Sequence, residues 1–257
     1  MHYRSDAMDD QEKTVENHPE AADLHPSETE TTAPALEIHS ISAGYPGRPP
    51  VVRDVSLTVA AGEAVALLGP SGCGKSTLAR VAALLHRPSS GTVRLNGAAA
   101  GGWRYRAPRE QRIAIGFVFQ QPRTAADPRL TLAALIAEPL HAARAVPRRD
   151  REAADERVRP LAETVGLTDD LLARRPHEVS DGQLQRACLA RALVLRPSLL
   201  VCDEMTAMLD ASTTAALVAV VESYRAETGA ALLAIGHDRP LLSRWCTRVL
   251  DYPALSV

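Results

Sequence analysis

From Leu36 onward the chain alternates short apolar runs with glycines and prolines: "ALEIHSI", "VSLTV" and "AVALLG", then, after a helical stretch, "GTVRLNG". Brief apolar runs bounded by turn residues predict strands, and their clustering predicts a β-rich opening layer. Later come "IAIGFVFQ" (Ile113 to Gln120), "LLVCDE" (Leu199 to Glu204) and "ALLAIGHD" (Ala231 to Asp238). These runs do not alternate with polar residues, the pattern of strands covered on both faces of a mostly parallel sheet. Long helical segments separate them, so the predicted class is α/β. Between Gln120 and Ser180 the period changes. "TLAALIAEPLHAARA" and "DREAADERVRPLAETVG" are amphipathic at helical spacing with no strand between them, which predicts an all-helical subdomain over residues 121–196.

Residues 1–34 lack this patterning and hold nine acids against Arg4 and Lys13, leaving the rest of a chain of net charge −2 at +5. With few large apolar side chains to offset the entropy of ordering, this stretch is predicted to be a disordered acidic tail ahead of one domain over residues 35–257. Hydrophobic residues make up 46% of the 257 positions, enough for a sizeable core. No apolar run reaches the roughly 18 residues of a membrane span, and "MHYRSDAMDDQEKTVENHPE" has neither a basic start nor an apolar stretch. Neither a span nor a signal peptide is therefore expected, and the chain is expected to stay in the cytoplasm. Cys73, Cys188, Cys202 and Cys246 lie far apart with no C-x-x-C pair, which predicts buried reduced thiols.

Chemistry enters at "GPSGCGKST", Gly69 to Thr77, which fits G-x-x-x-x-G-K-[ST] after an apolar strand and before a helical run. Gly69, Gly72 and Gly74 let the backbone wrap close to a polyphosphate. Successive N–H groups from Ser71 to Thr77, that of Cys73 included, meet its charge together with the helix N-terminus, while Pro70, which has no N–H, shapes the same loop. Lys75 reaches the β/γ oxygens and Ser76 ligates Mg²⁺. All but two of the basic side chains are arginine, and one of the two lysines is Lys75. "LLVCDE" ends an apolar strand in Asp203 and Glu204, the adjacent acids that nucleotide hydrolysis uses, one to orient Mg²⁺ and the next to polarise the attacking water.

"GPSGCGKST", Gln120 after "GFVF", "VSDGQLQRACLARAL", "LLVCDEMTAMLD" and "AIGHD" come in an order and spacing that resembles the nucleotide-binding subunit of ATP-binding cassette (ABC) transporters, over residues 35–252. The resemblance implies a P-loop ATPase fold with a mostly parallel core sheet, an antiparallel β layer and an all-helical subdomain. It also implies ATP and Mg²⁺ at the site, and two such domains closing head to tail, with Ser180, Gly182 and Gln183 of one capping the γ-phosphate held by the other. By motif, Tyr45 stacks on adenine, Gln120 senses Mg²⁺, Asp210 bridges the dimer and His237 clamps the γ-phosphate. Four blander readings stay open: a β-layer aromatic for Tyr45, a strand-end polar residue for Gln120, a helix N-cap for Asp210 and a core histidine for His237. "FQQPRTAADPRLTLAALIAEPL" is similar to the corresponding region of oligopeptide, dipeptide and nickel importers. That narrower likeness implies integral-membrane permease subunits, a second ATPase subunit of the same or a different kind, an extracytoplasmic binding protein, no nucleic acid, and a peripheral place on the cytoplasmic face of the membrane.

The chain departs from the family pattern L-S-G-G-Q by Val179 and Asp181, and also carries Met205, Ala207 and Gly236 where proline, serine and serine are usual. A carboxylate at a helix N-terminus caps free N–H groups, but aimed at ATP it repels it. Asp181 is expected to point away. The sequence runs 20 residues past His237, so the extra C-terminal segment of many peptide-importer ATPases is not expected. A soluble non-transport ABC protein and a weakly hydrolysing regulatory subunit remain the alternatives.

Overall fold

A computed structural model describes residues 33–207 and 209–252. The predicted acidic tail lies outside the described residues except for Ala33 and Pro34. In chain order the elements are β1 (Leu36–Ala43), β2 (Val52–Val59), β3 (Ala64–Leu68), α1 (Lys75–Ala82), β4 (Ser90–Leu95), β5 (Ala98–Ala99), α2 (Arg109–Ile113) and β6 (Ile115–Val118). Helices α3 (Pro122–Ala125), α4 (Leu132–Ala142), α5 (Arg151–Thr164), α6 (Asp169–Ala173) and α7 (Asp181–Leu193) follow. The chain then runs through β7 (Leu199–Asp203), α8 (Ala211–Thr228), β8 (Ala231–Gly236), α9 (Arg239–Trp245) and β9 (Arg248–Asp251).

Two sheets result. The first is antiparallel, in the order β2-β1-β4-β5, and the second is parallel, in the order β6-β7-β8-β3-β9. This corrects one expectation: "AVALL", read with the opening β layer, is β3 and pairs in parallel with β8 and β9. All five of its residues are buried, which is what a strand covered on both sides requires. The short edge strand β9 is an addition to the predicted elements.

The parallel sheet is shared by two cores because successive side chains point to opposite faces. Ala64, Ala66, Leu200, Cys202, Leu232 and Ala234 join a first core with Leu135, Val158, Leu184, Leu189 and Leu217 of the helices. Val65, Leu67, Leu199, Val201, Leu233 and Ile235 join a second core with the antiparallel sheet and with Leu78 and Val81 of α1. Between β6 and β7 every described element is helical. Cys188, Cys202 and Cys246 are buried free thiols. Burial pushes Cys188 up to about 11 and Cys246 up to about 12, and raises Cys202 as well. Cys73 is only half-buried, so the expectation fails there because it sits on the phosphate loop.

Candidate active site

The strand order brings the chemistry to one edge. Leu68 of β3 and Gly236 of β8 are register partners, as are Asp203 of β7 and Ile235 of β8. Gly69, Asp203, Glu204 and His237 therefore all leave the sheet at its carboxyl end, where open α/β sheets bind ligands.

The phosphate loop is held from two sides. Gly74 has φ +110 and caps α1, and a Cβ on it would lie 2.6 Å from the carbonyl oxygen of Val51. A Cβ on Gly69 would lie 2.5 Å from the carbonyl oxygen of Tyr252. Gly72, at φ +81, meets nothing and needs only its backbone freedom. Lys75 is buried, and its Nζ donates to the carbonyls of Gly69 and Pro70 at 2.8 Å each. Ser76 Oγ donates to Asp203 Oδ1 at 2.9 Å. Burial pushes the Asp203 carboxyl above its usual range, against the lowering effect of the Ser76 hydroxyl.

Glu204 follows with φ +48, an uncommon backbone for a side-chain-bearing residue, which turns the chain sharply as β7 ends. Its side chain is 10% exposed. Gln120 Nε2 donates to Glu204 Oε2 at 2.7 Å, and His237 Nδ1 lies 3.7 Å from the same oxygen, too far for a hydrogen bond. His237 is exposed, so it is not a core histidine. Tyr45 is also exposed; its hydroxyl lies 3.5 Å from Thr77 Oγ1 and accepts from Arg80 at 3.1 Å. The Thr77 hydroxyl and Arg80 hold this phenol below its usual range.

The "VSDGQ" turn stands apart. No hydrogen bond or ion pair among the described residues joins Ser180, Gly182 or Gln183 to the phosphate loop. Ser180 is the N-cap of α7: its Oγ accepts from the Gln183 N–H at 3.2 Å, while Gln183 Oε1 accepts from the Ser180 N–H at 3.0 Å. Ser180 is thus the cap, and Asp181 is not. The Asp181 carboxylate, expected to point away, instead pairs with Arg123 of α3 at 2.6 Å. Asp210 N-caps α8 through the Thr213 N–H at 2.9 Å, and the Ser212 and Thr213 hydroxyls add to that bond to hold its carboxyl far below the usual range.

Two participants escaped the sequence. Gln185, one turn into α7 and buried, donates to the carbonyls of Phe119 at 3.4 Å and Met205 at 3.1 Å, tying the segments that carry Gln120 and Glu204 to the same helix. A polar side chain between Leu184 and Ala187 on a buried face was the signal for it. Tyr252 clamps the loop without any motif to mark it. The oxygens of Ser76 and Asp203, already in contact, with the Gln120 amide held on the adjacent Glu204, form the hard-donor set that suits a small divalent cation.

Residues 52–207 match the family described as ABC transporter. The chain is 40% identical over 213 residues to a Sinorhizobium fredii protein named "Probable peptide ABC transporter ATP-binding protein y4tS", an alignment covering 79% of this chain. It spans 60% of that relative's length. It is 37% identical over 218 residues to the nickel import ATP-binding protein NikE of Escherichia coli K12, covering 84% of this chain and 80% of NikE. Among solved structures, the ATP-binding cassette MJ0796, a dimer in a post-hydrolysis state bound to ADP and Pi, superposes with a TM-score of 0.75 at 26% identity, over 84% of this chain and 93% of that one. Fold, strand-end geometry and relatives agree that the chain is an ATP-binding cassette and belongs to the ABC transporter family.

Proposed function

We propose that the chain is the ATP-hydrolysing subunit of an importer for peptides or nickel, with residues 35–257 as its cassette and 121–196 as a helical subdomain. The observation that carries this is the convergence of Lys75, Ser76, Asp203, Glu204, Gln120 and His237 at one sheet edge, together with relatives named for peptide and nickel transport.

In this reading Lys75 exchanges its loop carbonyls for the β/γ oxygens of ATP. Glu204, oriented by Gln120, polarises the attacking water, and His237 holds the γ-phosphate. Ser76, Asp203 and the Gln120 amide would hold Mg²⁺, which when bound supplies charge neutralisation on the triphosphate. Tyr45 stacks on the adenine. Ser180, Gly182 and Gln183 face the triphosphate of a second ATPase subunit, whose interface Asp210 helps to build; the exposure of Ser180 and the absence, among the described residues, of any hydrogen bond from the turn to the phosphate loop of its own chain support that arrangement. No helix among the described residues is long and apolar enough to cross a membrane, which fits a subunit held at the cytoplasmic face by permease subunits, with a binding protein outside and no nucleic acid.

ATP turnover by the chain assembled with its membrane partners tests the reading. Glu204→Gln lowers turnover about 10²- to 10⁴-fold, the usual share of a general base, and Lys75→Ala abolishes it. Unchanged turnover in both variants refutes the proposal. So does recovery of the native protein with ribosomes or DNA and without any integral-membrane subunit.

A further inference from the structure

Arg123 spends all three of its guanidinium nitrogens on one short stretch of chain. Its Nη1 donates to the Pro176 carbonyl at 2.9 Å, its Nη2 to the Val179 carbonyl at 3.1 Å, and its Nε meets Asp181 Oδ1 at 2.6 Å. The two carbonyls precede Ser180, and the carboxylate follows it. A planar fork aims a separate nitrogen at each of these three acceptors, whereas an ammonium would have to reach all three from a single nitrogen. Arg123 sits three residues after Gln120, and Gln120, Arg123, Asp181 and Gln185 line one small cavity. The charge that a glycine-rich turn would lack is thus met, within the same chain, from the segment that contacts Glu204.

We infer that Arg123 is a positioning residue that neutralises Asp181 and so lets a signature turn carrying a carboxylate close on a triphosphate. This rests on the proposed function. With Arg123 present, the turn offers ATP the Ser180 hydroxyl and the Gly182 N–H beside a matched ion pair. With Arg123 removed, an unpaired anion stands next to both, and like charge opposes closure. The same fork registers the turn against the segment following Gln120, so that movement of one is felt by the other.

The test is a double-mutant cycle of Arg123→Gln and Asp181→Asn in the chain assembled with its membrane partners, following turnover against ATP concentration. Arg123→Gln alone is expected to raise the ATP half-saturation of the curve, or of one of its phases where two different ATPase subunits contribute, about tenfold (about 1.4 kcal/mol). Asp181→Asn alone stays within about threefold of wild type, and so does the double variant. Rescue by Asp181→Asn is diagnostic because both Arg123→Gln chains lack the carbonyl contacts, so misfolding would persist in the double variant. The penalty of Arg123→Gln is also expected to shrink as salt rises. An Arg123→Gln defect that Asp181→Asn leaves in place, or no defect at all, overturns the inference. A wild-type complex without turnover overturns the functional reading itself and takes the inference with it, an outcome told apart by the wild-type curve alone.

Discussion

Asp203 is held where water barely reaches, and burial favours its protonated form. A carboxyl with a raised folded value contributes stability that is full below its unfolded value and is lost as pH rises through the folded value. At neutral pH the charged group therefore works against the fold. A carboxamide in its place still accepts from the Ser76 hydroxyl. Asp203→Asn is thus expected to raise the melting temperature of the nucleotide-free chain at pH 7 by about 2–4 °C, or about 1 kcal/mol, while removing turnover. Below about pH 4, where the wild-type carboxyl also carries its proton, the two melting curves should coincide. Thermal scans across pH check this, and a melting temperature lowered at pH 7 contradicts it. The residue types at this site were legible in the sequence because the chemistry demands them in sequence-adjacent positions, as with Lys75 and Ser76 or Asp203 and Glu204. The direction of Asp181 was not, because its partner is contributed by a different element and carries no motif.

Among the elements, the phosphate loop and α1 form one unit whose tolerance differs from glycine to glycine. Gly74→Ala must place a methyl 2.6 Å from the Val51 carbonyl on a backbone at φ +110, and a loss of about 1–3 kcal/mol with loss of ATP retention is expected. Gly72→Ala, with open space around it, meets only the backbone penalty of about 1–2 kcal/mol. Unfolding and nucleotide-binding measurements on the two variants should rank them in that order; equal effects would mean that contact with Val51 is unimportant. The helices after Gln120 were readable because their apolar positions recur at helical spacing over many residues. Strand β9 was not, since four residues of half-buried edge carry too little pattern. β3 is recognisable as a strand yet falls to the wrong layer, because an apolar run records burial on both faces without naming its neighbours.

Across the whole molecule, the alternate side chains of β3, β7 and β8 feed both cores, so neither can lose its packing without exposing the other side of the same strands. Trp245 belongs to the first core and Trp103 packs against the second. Chains keeping one tryptophan each, through Trp103→Phe or Trp245→Phe, are expected to report the same unfolding midpoint by fluorescence; midpoints separated beyond the destabilisation of either substitution would mean that the layers melt independently.

The loop that would cradle the triphosphate is clamped by Tyr252, whose hydroxyl reaches the Val51 carbonyl from 201 positions along the chain, just after β9 has paired with β3. A ribosome making this protein thus delivers the cradle well before its clasp, about 200 residues apart. Until Tyr252 has emerged the nascent polypeptide holds an unfinished pocket, and the cell's abundant nucleotide meets a completed one only afterwards.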